Sequence, residues 1–175
     1  ASTNAQDAVS LIQTAEGGMQ EIDNMLQRIR ELLVKGANDT LDVTAATATS
    51  DDRQKIQDEI NALVEEIDSM ADRVEFNGKT LLDGTYASGG KELHFQIGAN
   101  NEQNMLLNIE SIKTDKLGIG DGSGAVDSAL DISALETGKG AGAAAIDLLD
   151  TALTLVSTER SKLGAAQHRL EYTMK

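Results

Sequence analysis

Along the first part of the chain, apolar residues return at alternating intervals of three and four. Ala5, Ala8, Ile12, Ala15, Met19, Ile22, Leu26, Ile29 and Leu33 form one line, the seam of a helix packed on other helices. Gly17 and Gly18 weaken that line without shifting its phase. The pattern predicts a helix over about residues 4–37, roughly 50 Å long, with Gly36 and Asn38 as stop residues. Leu11, Met25 and Leu32 each precede a seam residue and widen the apolar face on one side, as a multi-helix bundle needs. A Thr- and Ala-rich loop is expected over residues 38–50, with Ser50 as N-cap and Asp51 and Asp52 at the positive end of the next helix. That second helix, about 51–74, repeats the heptad through Ile56, Ile60, Leu63, Ile67, Met70 and Val74. The last helix, about 140–174, carries Ile146, Leu149, Leu153, Val156, Leu163, Ala166 and Leu170 on its seam.

Between the helical stretches the period changes. Asn77-Gly78 between apolar residues signals a tight hairpin turn. The runs ELHFQIG (92–98) and NMLLNIE (104–110) read as the arms of a β-hairpin. LGIGDGSG (117–124) is expected to be a flexible joint, and one strand is expected near Leu130 to Ile132. The β- and turn-rich part is thus about 75–139. The resulting fold class is mainly α with a small β region. The expected architecture is an elongated antiparallel bundle of long helices from the N- and C-terminal segments, capped by β-hairpins from the middle of the chain.

Composition narrows the function. The formal net charge of −14 argues against nucleic acid, whose binders need a basic footprint. The absence of cysteine excludes disulfides and thiolate metal sites and fits an extracellular bacterial protein. No apolar run approaches the roughly 20 residues of a membrane span. Aromatic residues are 2% of the chain, so the core must be filled by Ala, Leu, Ile, Val and Met, which suits long thin bundles. The chain opens on a helical pattern with no signal peptide, and we read it as a fragment whose natural termini are removed.

No motif carries catalysis. His94 and His168 lack an i+4 histidine partner, and no HExxH is present; both read as surface or interface residues. GIGDGSG lacks the Lys-Ser/Thr of a phosphate loop, and neither it nor GKGAG (138–142) follows a strand inside a βαβ unit. Asp121, Asp127 and Asp131 do not match calcium-loop spacing. NDT at 38–40 matches an Asn-glycosylation triplet by pattern only. The many helical carboxylates read as a solvated face. The chain is therefore expected to be no enzyme and to hold no metal and no cofactor.

One stretch, MLQRIRELLVKG (25–36), concentrates cations in this acidic chain. With Leu26, Ile29 and Leu33 on the seam, Arg28, Leu32 and Lys35 line up at i, i+4 and i+7, and Gln27, Glu31 and Val34 form a neighbouring line. This mixed ridge fits either a protein interface, where arginine is favoured, or a solvated face. On the second reading Arg28 would pair with neighbours such as Asp23, Asn24 or Glu31, each pair worth a few tenths of a kcal/mol.

NAQDAVSLIQTAEGGMQEIDNMLQRIRELLVKGAN, IQDEINALVEEIDSMADRVEFNGKTLLDG and AIDLLDTALTLVSTERSKLGAAQHRLEYTM occur in this order. Together they resemble bacterial flagellin over nearly all of 4–110 and 140–174. The resemblance implies one elongated core domain of the flagellin type over 1–175. The outermost terminal helices are missing, and the outer variable domain is absent or reduced to 111–139. It implies a structural subunit of the flagellar filament that is secreted through the flagellar type III export apparatus and assembled outside the cell for motility. The implied partners are other flagellin subunits, the ectodomain of vertebrate Toll-like receptor five, and the export machinery and chaperone through the missing segments. QRIREL assigns Gln27, Arg28, Glu31 and Leu32 to the receptor and protofilament surface, IQDEI adds Glu59, and QHRL adds Arg169. Lys35 lies on the same ridge, and Arg28 would be its central anchor through its planar fork and apolar stem. A hook–filament junction protein of the same flagellar family is the alternative. Leu33, Lys35 and the long 38–50 loop depart from the usual pattern, and a chain ending at Met174-Lys175 is not expected to polymerise normally.

Overall fold

The computed structural model describes residues 2–36, 51–98, 103–132 and 143–174. The expectations for the 38–50 loop, the Ser50 cap, the NDT triplet and GKGAG lie outside these residues. The fold is mainly helical with two small antiparallel strand pairs, the class the periodicity predicts. In chain order the elements are α1 (Ser2–Gly36), α2 (Asp51–Arg73), β1 (Glu75–Phe76), β2 (Lys79–Thr80), β3 (Leu93–Gln96), β4 (Asn104–Leu107), α3 (Thr114–Leu117) and α4 (Ala143–Thr173), with a 3-10 turn at Ser128–Leu130 between the last two. They form two compact units. Unit 1 contains Ala1–Glu21, Met70–Ile112 and Val156–Lys175; unit 2 contains Ile22–Ser69 and Lys113–Leu155.

In unit 1, Ala5, Ala8, Ile12, Ala15 and Met19 of α1 are buried, with Leu11 beside them. Gly18 is a close-approach position. A Cβ there would lie 2.8 Å from Val74 Cγ2 and 2.9 Å from Leu82 Cδ1, so only glycine lets the helix meet these side chains unshifted. Asn77 and Gly78 both have positive φ, 49° and 71°, the two-residue turn that matches strand twist in a hairpin. This turn pairs Phe76 with Lys79 and Glu75 with Thr80. The Leu81 amide then bonds the Val74 carbonyl at 2.9 Å, bringing Leu81 and Leu82 into the core. β3 and β4 pair antiparallel from Leu93↔Leu107 to Gln96↔Asn104. Met105 and Leu107 point inward while Leu106 is exposed, the period-2 alternation of a half-covered hairpin.

In unit 2, α1 buries Ile22, Leu26, Ile29, Leu32 and Leu33, and α2 buries Ile56, Ile60, Val64 and Ile67. α4 contributes Ala145, Leu149 and Ala152. The buried line on α2 runs through Val64 and, in unit 1, Ala71, in place of the predicted Leu63 and Met70. Leu63 and Met70 each lie one position before these residues and are half-buried at the edge of the same face.

The segment from Thr114 to Ile132 differs from its expectation. α3 ends at Gly118 in the left-handed region (φ 74°). Asp121 then accepts from the backbone of Ser123 at 2.8 Å and of Ala125 at 3.1 Å, and from the Ser123 hydroxyl at 2.8 Å. The expected flexible joint is thus a hydrogen-bonded turn. No strand forms at Leu130 to Ile132: Leu130 ends the 3-10 turn, which Asp127 caps through the Ala129 amide at 2.8 Å. The Ile132 amide is held by Gln57 Oε1 at 2.8 Å.

Candidate interaction surface

α1 places its seam residues Leu26, Ile29 and Leu33 in the core of unit 2, so the residues between them have to face outward. Gln27, Arg28, Glu31, Val34 and Lys35 are all exposed. Arg28 is the hub of this ridge. Its Nε donates to Glu59 Oε1 on α2 at 2.9 Å, and a terminal nitrogen donates to Glu31 Oε2 at 3.3 Å. The side chains of Arg28, Glu59 and Glu31 remain 50%, 44% and 69% exposed. The guanidinium is therefore oriented by two carboxylates while staying open to a partner. The Glu59 hydrogen bond, followed by that to Glu31, holds the Arg28 pKa above its ordinary value, so the group is a fixed cation. Gln27 donates to Asp23 one turn earlier, at 2.8 Å. Lys35 forms no ion pair among the described residues.

Leu32 requires a correction. Its spacing aligns it with Arg28 and Lys35 and the QRIREL match puts it on the interface surface, but it is 2% exposed and lies on the widened apolar face in the core. The apolar face of α1 is wider than the seam on that side, the same widening that buries Leu11. Val34, 49% exposed, supplies the apolar part of the ridge instead. Arg169 is exposed and belongs to unit 1. Arg30 donates to Asp150 of α4 at 2.7 Å and ties the two helices together. Its signal was present in the sequence, since position 30 lies on neither the seam nor the ridge.

His94 is exposed, with Nε2 2.9 Å from Glu92, and His168 is exposed beside Glu171. An open trough of about 510 Å³ in unit 1 contains both phenylalanines of the chain, Phe76 and Phe95, with Asp7, Lys79, Glu92 and His94 around them. No helix among the described residues is long and apolar enough to cross a membrane.

Comparison with known proteins gives this surface a context. The model of the bacterial flagellin N-terminal helical region matches residues 1–87. The chain is 44% identical to the flagellin of Bacillus subtilis (strain 168) over 190 aligned residues, which cover 99% of this chain and 61% of that protein. It spans about three fifths of the length of the curated relatives it matches. Among solved structures, Bacillus cereus flagellin superposes with a TM-score of 0.72 at 28% identity, covering 99% of this chain and 88% of that one. A Vibrio parahaemolyticus protein assigned to the flagellar hook-associated class shares the fold, with a TM-score of 0.68 at 17% identity, over 98% of this chain and 81% of its own. The flagellin family is structural and not enzymatic. With identity running the length of the chain and a fold to match, the chain belongs to the bacterial flagellin family.

Proposed function

We propose that this chain forms the helical core of a subunit of the bacterial flagellar filament, outside the cell, and that it builds the filament through contacts with other copies of itself. The observation that carries this reading is the 44% identity to a flagellin across 99% of the chain. The exposed ridge of Gln27, Arg28, Glu31, Lys35 and Glu59 gives the contact a physical basis. A surface already ordered by ion pairs loses little conformational freedom on binding, and an arginine held by carboxylates is a common interface anchor. The same ridge is proposed to be the part recognised by vertebrate Toll-like receptor five, with Arg28 at its centre and Glu59 supplying charge complementarity. Arg169, in unit 1, is proposed as a separate contact. Passage through the flagellar export apparatus, with a chaperone, is part of the same reading.

A hook–filament junction role rests on fold alone, because the hook-associated structure is 17% identical; the far higher flagellin identity favours the filament. Genetic replacement separates the two. Supplied to a bacterium lacking only its flagellin, the whole gene product is expected to restore filaments and swimming. Restoration only in a strain lacking a hook-junction protein would reverse the assignment.

A further inference from the structure

Three pairs in the chain set a glycine directly after an asparagine or aspartate: Asn77-Gly78, Asp83-Gly84 and Asp121-Gly122. In such a pair the glycine nitrogen can close onto the preceding side-chain carbonyl, because no side chain on the glycine blocks the approach. Two of the three are tied down. The Thr85 amide donates to Asp83 Oδ1 at 2.9 Å. Asp121 accepts the Ser123 amide and hydroxyl, each at 2.8 Å, and the Ala125 amide at 3.1 Å. Both are also carboxylates, with no amine to expel. Asn77 differs on each count. It is exposed, as are Gly78 and Lys79. Its carboxamide forms no hydrogen bond among the described residues, and neither does the Gly78 amide. A Cβ at Gly78 would meet nothing within 4 Å, so nothing crowds the nitrogen or keeps water from it. The other described asparagines, Asn4, Asn24, Asn61, Asn104 and Asn108, are each followed by a residue that carries a side chain.

We propose that Asn77 is a site of spontaneous, irreversible modification. The Gly78 nitrogen loses its proton to solvent hydroxide and bonds to Asn77 Cγ. The Cγ–Nδ2 bond breaks, and the amide nitrogen leaves as ammonia with a proton taken from water. The product is a succinimide ring shared by residues 77 and 78. Water then opens one of the two carbonyl–nitrogen bonds of the ring. Opening at the side-chain carbonyl gives aspartate; opening at the original peptide bond gives isoaspartate, with the main chain running through Cβ. Nothing is oxidised or reduced, and the net change consumes one water and releases one ammonia. Closure swings the Gly78 nitrogen towards Cγ and so needs the turn to open. The β1–β2 ladder behind it has only two residue pairs, Phe76↔Lys79 and Glu75↔Thr80. So short a ladder opens readily at its tip, while the Leu81–Val74 hydrogen bond holds its base. Either product adds a negative charge beside Lys79. Isoaspartate also adds a main-chain carbon to a two-residue turn whose length sets the pairing of Phe76 with Lys79. The tip of this hairpin thus records the age of the folded chain.

The test is peptide mapping of the folded chain. Trypsin cuts after Arg73 and Lys79 and releases residues 74–79 as one peptide. The folded wild-type chain and a synthetic peptide of that sequence are incubated side by side at mildly alkaline pH until about half of the free peptide has converted. The folded chain should by then show conversion at Asn77, read as a mass gain of about 1 Da and as separate chromatographic peaks for aspartate and isoaspartate. Conversion should be at least about tenfold faster than at any other described asparagine. Its rate should rise about tenfold per pH unit, because the attacking amide must first lose its proton. The Asn77→Gln variant, whose longer side chain has to close a larger ring, should lose the acidic shift in isoelectric focusing. A 74–79 peptide from the folded chain that is still unmodified when the free peptide is half converted would overturn the proposal. An acidic shift that persists undiminished in Asn77→Gln would do the same.

Discussion

Asp68 and Thr114 are joined twice. The Asp68 Oδ1 accepts the Thr114 amide at 2.8 Å, and Oδ2 accepts the Thr114 hydroxyl at 2.7 Å and the Gly124 amide at 2.9 Å. Asp68 is 4% exposed and Thr114 is fully buried. One carboxylate on α2 thus anchors the turn-rich segment that follows β4 at two points, ten residues apart in the chain. Replacing Asp68 with Ala leaves these donors without a partner, at a cost of about 3 kcal/mol. Asp68→Asn keeps the shape and part of the bonding and should cost less. Urea denaturation of both variants measures this, and an unchanged midpoint for Asp68→Ala would show that the clasp contributes nothing.

Gly17 and Gly18 are neighbours on one helix with opposite surroundings. A Cβ at Gly17 meets nothing within 4 Å, whereas one at Gly18 meets Val74 and Leu82 below 3.0 Å. Gly17→Ala should therefore stabilise by about 1 kcal/mol through helix propensity. Gly18→Ala should destabilise by about 1–3 kcal/mol through overpacking. Thermal melts should move in opposite directions; a shared direction would mean that close packing at Gly18 is not what distinguishes the pair.

Arg28 predicts a separation of binding from folding. Because Arg28 and both its partners are largely exposed, Arg28→Asp should leave the unfolding midpoint near wild type. Activation of receptor-five reporter cells should fall about tenfold or more, as for loss of an interface anchor. Equal activity of the variant and the parent would remove Arg28 from the receptor surface.

Asp121 carries the acid sensitivity of the turn that follows α3. The Ser123 amide, the Ser123 hydroxyl and the Ala125 amide lower its pKa below the ordinary aspartate value. A folded pKa below the unfolded one contributes stability that is present above the unfolded value and lost as pH falls through the folded value. The turn should thus hold through neutral and mildly acidic pH and loosen only below the usual carboxylate range. The Ser123 and Ala125 amide shifts, followed by NMR titration, would report this; movement centred at or above the ordinary aspartate pKa would contradict it.

Much of the helical frame is legible in the sequence because its cause is local. Every one of the nine seam residues read on α1 is buried, and the positive φ values at Asn77 and Gly78 follow from their residue types. α4 is read less well. Ala145 and Ala152 are buried, while the expected seam residues Ile146 and Leu153, one position further along, are half-buried: hydrophobicity alone favours the larger side chains and misplaces the seam by one residue. The Asp68 clasp escapes a local reading entirely, since its partners are 46 and 56 residues away. The Asp127 cap fits Asp ahead of Ser-Ala-Leu, but the β-like run at Leu130–Ile132 competes with that signal. On the candidate surface, Arg28 and Glu31 are legible from helical spacing. The Glu59 contact is implied by resemblance alone, and Leu32 fits both the ridge spacing and the widened apolar face, of which the second holds.

The Arg28 ridge is proposed as a surface made for another subunit. Electron cryomicroscopy of filaments assembled from the whole gene product tests it most directly. Gln27, Arg28, Lys35 and Glu59 of each subunit are expected to lie against a neighbouring subunit. Filaments in which these side chains face open solvent around the whole helix would contradict it.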